Sequence, residues 1–128
     1  GMSENCNLYS PVNGTWTEYV TKGSIAPDEQ QLANDNPNQT ITISLTNTQG
    51  TYVVDKEYAN RGYSVDTTNT VLGGNMKIKY NMGAKPTVEA TTGIVTEAVE
   101  SKSFIPNQVQ YLYIESTPEG ILYFILNN

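Results

Sequence analysis

From Thr40 onward the chain is a succession of short stretches in which apolar and polar side chains alternate, each closed by Gly, Asn or Pro. A two-residue period is that of a strand, whose side chains point to opposite faces in turn, whereas a helix repeats every 3.6 residues. This pattern predicts an all-β chain of about 8–9 strands and leaves little room for helix.

Four of the joins between these stretches read as hairpins. Residues 40–46 alternate Ile41, Ile43 and Leu45 with hydroxyls, and 51–54 returns after Asn47-Thr48-Gln49-Gly50, which sets Leu45 opposite Tyr52 and Ile43 opposite Val54. Residues 63–72 meet 76–82 across Gly73-Gly74, with Met76, Ile78, Tyr80 and Met82 on one face and Lys77, Lys79 and Asn81 on the other. Residues 87–91 meet 94–99 through Thr92-Gly93, a two-residue loop that keeps Glu89 from directly opposing Glu97. The fourth is the clearest. Residues 109–116 return as 121–126 through Thr117-Pro118-Glu119-Gly120, with proline and glycine where a type I turn favours them.

In the register of that last turn, Val109, Tyr111, Tyr113, Leu122, Phe124 and Leu126 share one face, and Leu112, Ile114, Ile121, Tyr123 and Ile125 share the other. Both faces are apolar, and leaving either in water would expose a patch of the kind that marks an interface. One face is expected to be core. The other calls for cover from the chain itself or from a second copy, so homo-oligomer formation through the final hairpin is an expectation. Tyr111 and Tyr113, grouped with Leu122 and Phe124, read as core residues.

Composition excludes several functions. The chain has 128 residues with 7 basic and 13 acidic side chains, a net charge of -6, and Arg61 as its sole arginine. Phosphate neutralisation needs clustered cations, so nucleic acid is not an expected partner. With no histidine and only Cys6, neither Cys/His zinc sites nor internal disulfides can form. No apolar run is long enough for a transmembrane helix, and no membrane insertion is expected. Gly1-Met2 resembles a tag remnant. Residues 1–8 are expected to form a flexible lead-in to a single domain over 9–128, with a loop or short helix inserted at 22–39, the helical stretch being 26–33.

The segment Asn13-Gly14-Thr15-Trp16 opens the first strand of this β succession. Gly-x-Trp in that place resembles the lipocalin-like, or calycin, barrels. The resemblance implies an up-and-down meander closing as a barrel, with a two-sheet β-sandwich as the alternative. It further implies a non-catalytic, extracytoplasmic protein holding a small apolar or amphipathic ligand in an interior lined by Trp16, Ile43, Tyr80 and Tyr113. The resemblance brings no cofactor. The last strand lacks the basic residue that commonly packs across the tryptophan in that family.

Other chemistry has less to stand on. Triads that need histidine are impossible, no phosphate-cradling glycine loop is present, and the carboxylate pairs Glu115 with Glu119 and Glu97 with Glu100 sit where charges usually serve solubility. The chain is therefore not expected to be an enzyme. Asn34-Asp35-Asn36 lacks the pattern of a calcium loop, and two glycosylation sequons begin at Asn13 and Asn38. Low charge, Thr/Asn richness and the doubly apolar hairpin suggest a second function, a structural or adhesive surface or virion module, and nine tyrosines and one tryptophan add carbohydrate binding through aromatic faces. Tyr58 and Tyr63, beside the polar turn 59–62, are the tyrosines expected to be exposed.

Overall fold

A computed structural model describes residues 29–32, 39–57 and 59–127. Two units divide the chain, residues 1–30 and 31–128; Glu29 and Gln30 are the described residues of the first, and the architecture is that of the second. The chain is all-β, as the alternation requires. Strand β1 (Glu29–Gln31) takes three of the four described positions, 29–32, of the stretch expected to be helical. Two helical turns without a well-packed apolar face are marginal, and strand wins there.

The strands that follow are β2 (Thr40–Ile43), β3 (Tyr52–Val54), β4 (Gly62–Val65), β5 (Asn75–Asn81), β6 (Thr87–Ala90), β7 (Val95–Glu97), β8 (Val109–Thr117) and β9 (Gly120–Asn127). They fall into two sheets. The first has the order β2-β4-β6, and the second contains the run β3-β5-β8-β9-β7. From β2 to β7 the chain therefore crosses between the sheets at every join.

This topology overturns three of the four expected hairpins. β2 and β3, β4 and β5, and β6 and β7 are each joined by an arch between sheets, not by a turn within one. Their partners lie one turn of the coil away, and the pairing is parallel: β2 with β4, β4 with β6, and β3 with β5. In the first sheet Ile41, Tyr63 and Val88 align, as do Ile43, Val65 and Ala90. Corresponding residues recur roughly every 22 to 25 positions, the period of a solenoid turn.

The fold is a β-solenoid and not a closed calycin barrel. An up-and-down barrel needs antiparallel neighbours throughout, and the parallel pairs of both sheets exclude it. Hydrogen bonds also climb from turn to turn outside the strands. The Asp66 amide donates to the Ile43 carbonyl (2.8 Å), that of Val71 to Leu45 (3.0 Å) and that of Asn75 to Asn47 (3.0 Å). Gly74 sits where these turns touch, and a Cβ there would collide with the Leu45 carbonyl oxygen.

The one expected hairpin that forms is the last. β8 and β9 pair antiparallel with Tyr113 opposite Phe124 and Thr117 opposite Gly120, the register read from the sequence. Thr117 locks the turn, its hydroxyl accepting from the Glu119 amide (3.2 Å) and donating to the Gly120 carbonyl (2.8 Å). The hairpin lies between β5 and β7. β8 runs antiparallel to β5 over seven residue pairs, and β9 runs parallel to β7. The solenoid's second sheet is thus opened by an inserted ribbon.

The inner faces of the two sheets form the core. Ile41, Ile43 and Val65 from the first meet Val53, Ile78, Tyr80, Leu112, Ile114 and Ile125 from the second. The β5 alternation holds as expected, with Met76, Ile78, Tyr80 and Met82 buried and Lys77 exposed. The face of the final hairpin that enters the core is the one carrying Leu112, Ile114, Ile121 and Ile125. Tyr111 and Tyr113, expected in the core, lie on the opposite, half-buried face.

Arg61, Asp55 and Tyr63 make a buried polar knot. Arg61 Nε stands 3.1 Å from Asp55 Oδ2, with both side chains fully enclosed, and the Tyr63 hydroxyl donates to the same oxygen at 2.7 Å. Tyr63 is fully buried, not exposed at a polar turn, and Tyr58 lies outside the described residues. Burial pushes the Asp55 carboxyl above its ordinary value against the opposing pull of Tyr63 and Arg61. Burial likewise raises the Tyr63 phenol, with Asp55 adding to the shift.

Candidate functional site

Of the residues expected to line one interior, Ile43 and Tyr80 meet in the packed core and Tyr113 lies outside it. Ile43 is buried in the core from the first sheet and Tyr80 from the second, while Tyr113 points away on the outer face of the second sheet. Trp16 lies outside the described residues, as do the sequon at Asn13, the 34–36 segment and Cys6. Among the described residues, hollows of about 210 Å³ and about 100 Å³ open on the second unit. Both fall short of the roughly 300 Å³ at which small-molecule sites begin.

The surface with most to offer is the outer face of the second sheet. Cross-strand register puts Tyr52, Lys77, Tyr113 and Phe124 in one row, and Val54, Lys79, Tyr111 and Leu126 in the next. Lys77 is exposed and the other seven are half-buried. The Tyr113 and Phe124 rings lie 5.0 Å apart, tilted by 31°, and those of Tyr52 and Tyr111 lie 5.8 Å apart, tilted by 50°. Lys77 Nζ stands 4.8 Å from the centre of the Tyr111 ring and 5.7 Å from that of Tyr52. The quadrupole of each ring draws the ammonium group to its face.

Local sequence explains this arrangement. In β5, β8 and β9 the inward positions carry mainly aliphatic residues, with Met76, Tyr80, Gln110 and Tyr123, so the alternate positions must point outward whatever their polarity. In β8 and β9 most of those outward positions, Val109, Tyr111, Tyr113, Leu122, Phe124 and Leu126, are themselves aromatic or aliphatic. Burial, helped by the Glu115 carboxylate that accepts from its hydroxyl at 3.3 Å, raises the Tyr113 phenol above its ordinary value, so the ring stays neutral. The two hollows bracket the face, the larger against Thr96 and Leu122 beside the hairpin turn and the smaller against Lys79 and Val109 at the far end.

A second cluster ties β7 to the chain that follows it. Glu97 accepts from Lys85 Nζ (2.9 Å), from the Ser101 hydroxyl (2.7 Å) and from the Tyr123 hydroxyl (3.3 Å). The Lys85 bond, with that of Ser101 behind it, holds the Glu97 carboxyl below its ordinary value, and the same contact holds Lys85 above its own. The Ser101 hydroxyl also accepts from the Ile125 amide at 2.9 Å, which makes the cluster a strut for β9.

Among the described residues, no group of three or more acidic or cysteine side chains could hold a metal ion, and no helix is long and apolar enough to cross a membrane. The sequence reading missed the outer face because it placed these tyrosines in the core. The signal available was the neighbour: Lys77 and Lys79 face outward on β5, and whatever lies beside them on β8 faces outward too. No protein-family model, curated protein or solved structure matches the chain.

Proposed function

We propose that the chain is a non-catalytic binding module of an adhesive or structural kind, whose working surface is the outer face of the second sheet and whose ligand is a carbohydrate. The observation that carries this reading is the cluster of half-exposed rings, Tyr52, Tyr111, Tyr113 and Phe124, on rigid strands of one sheet. A half-exposed aromatic cluster of this kind marks an interaction surface. Aromatic rings offer flat apolar faces with little conformational freedom to lose, and tyrosine adds a polar tip that stays wet. Sugar rings present the matching combination of C–H faces and hydroxyl edges. Rigid strands hold such a surface ready-made, which lowers the entropic cost of binding.

The test is retardation of the protein in native gels containing soluble polysaccharides. Tyr113→Ala and Phe124→Ala should abolish retardation while leaving the unfolding midpoint near that of the parent. Retardation unaffected by both substitutions would remove this surface from the reading. Concentration-dependent self-association lost with the same two substitutions would instead assign the face to a second copy of the chain.

A further inference from the structure

We infer that the carbohydrate recognised by this face is an anionic glycan, carrying carboxylate or sulfate groups, with Lys77 and Lys79 as the residues that read its charge; this rests on the carbohydrate reading above. Both lysines belong to β5, two residues apart, so both project from the same side of the sheet into the aromatic rows. The chain carries a net charge of -6 with only 7 basic residues, so two adjacent cations among tyrosines depart from the charge of the rest. Their surroundings depart further. Arg61 is engaged by Asp55 and Lys85 by Glu97, whereas among the described residues neither Lys77 nor Lys79 has an ion-pair partner.

Lys77 is held instead by rings, its Nζ within 4.8 Å of one centroid and 5.7 Å of another. Ring faces fix the position of an ammonium group without cancelling its charge, and its remaining N–H donors still point to solvent. A carboxylate at the same place would fix it and neutralise it. The acids nearest the face are engaged at its ends: Glu115 accepts from the Tyr113 hydroxyl at 3.3 Å, and Glu57 from Asn81 Nδ2 at 3.3 Å. The middle of the face is thus cationic and aromatic together. A sugar lying on the Tyr113 and Phe124 rings would bring an anionic substituent to the two ammonium groups in the rows that β5 shares with β8.

The experiment is isothermal titration of the intact chain with polygalacturonate, sulfated dextran and neutral dextran. Binding to one or both anionic polymers and not to neutral dextran is expected, and the two anionic arms tell which group is read. Substituting Lys77→Gln and Lys79→Gln together should weaken that binding roughly 2- to 25-fold, the range expected of two exposed ion pairs. Raising the salt should weaken it further. Lys102→Gln, an exposed lysine outside β5 and its cross-strand rows, should change nothing. Equal binding to neutral dextran, or binding indifferent to the paired lysine substitutions, overturns the inference while leaving the carbohydrate reading in place. No binding to any of the three overturns both. Unfolding midpoints of the variants establish that they are folded.

Discussion

The identity of single residues decides whether successive turns of this coil can touch. Gly74 lies against the Leu45 carbonyl oxygen where any Cβ would collide, so Gly74→Ala must push two turns apart. We expect a loss of about 2–4 kcal/mol in urea-induced unfolding, in the upper range for single substitutions. Asp55 sets a second test. Replacing it by Ala leaves the enclosed guanidinium of Arg61 without its carboxylate, and the expected cost is about 3–5 kcal/mol. Tyr63→Phe removes one hydrogen bond to Asp55 and should cost less, about 1–3 kcal/mol. A larger loss for Tyr63→Phe than for Asp55→Ala would contradict this ordering. That Arg61 is the sole arginine was plain from the sequence. Its burial was not, because Asn60, Arg61 and Gly62 have the composition of a solvated turn, and only pairing of β4 between β2 and β6 encloses Arg61 and Gly62.

At the level of strands, alternation located nearly every element and said nothing about its partner. A hairpin and an arch are both short, polar and glycine-bearing, and both return an alternating stretch to the same core. They differ in whether the two strands share hydrogen bonds or face one another across the core. Thr117-Pro118-Glu119-Gly120 carried enough turn chemistry to fix its own register, and the hairpin there formed as read. Asn47-Thr48-Gln49-Gly50 had no such specificity, and the stretch beyond it pairs with β5 instead. The repeat was hidden for a related reason. Thr-Ile-Thr-Ile, Gly-Tyr-Ser-Val and Thr-Val-Glu-Ala align residue by residue in the first sheet, yet share only a polar-apolar alternation. A disulfide separates the two topologies. Thr42→Cys with Ser64→Cys, in a Cys6→Ser background, places thiols on neighbouring parallel strands and should cross-link on oxidation.

Glu97 gives the strand level a pH dependence. Its carboxyl is held below the ordinary glutamate value of 4.5 by Lys85 and Ser101, so the folded state binds its proton less readily than the unfolded chain does. Its contribution is therefore complete above that ordinary value and is lost as the pH falls through the lowered one. Glu97→Gln should be less stable than the parent at about pH 7, and the two should converge towards about pH 3. A gap between them that stays constant over that range would show that the strut acts through packing and not through charge.

At the largest scale, the second unit joins a solenoid, which stacks turns, to an inserted ribbon, which supplies most of a sheet's outer face. The core is built from the inward positions of both parts, so each residue facing in leaves a neighbour facing out. In the coil those neighbours are mostly Thr, Ser, Lys and Asn, as a wetted solenoid requires. In β8 and β9 they are Tyr111, Tyr113, Leu122, Phe124 and Leu126, which no core demands. That both faces of the final hairpin are apolar was legible in the sequence; which one faces the core was not, because aliphatic and aromatic faces are equally able to fill one. The most direct measurement is amide chemical-shift mapping during titration with oligosaccharides of both anionic kinds, carboxylated and sulfated. Binding at the outer face predicts shifts confined to it, at Tyr52, Lys77, Lys79, Tyr111, Tyr113 and Phe124 and their neighbours. Shifts confined to the arches, or none at saturating oligosaccharide, would contradict it.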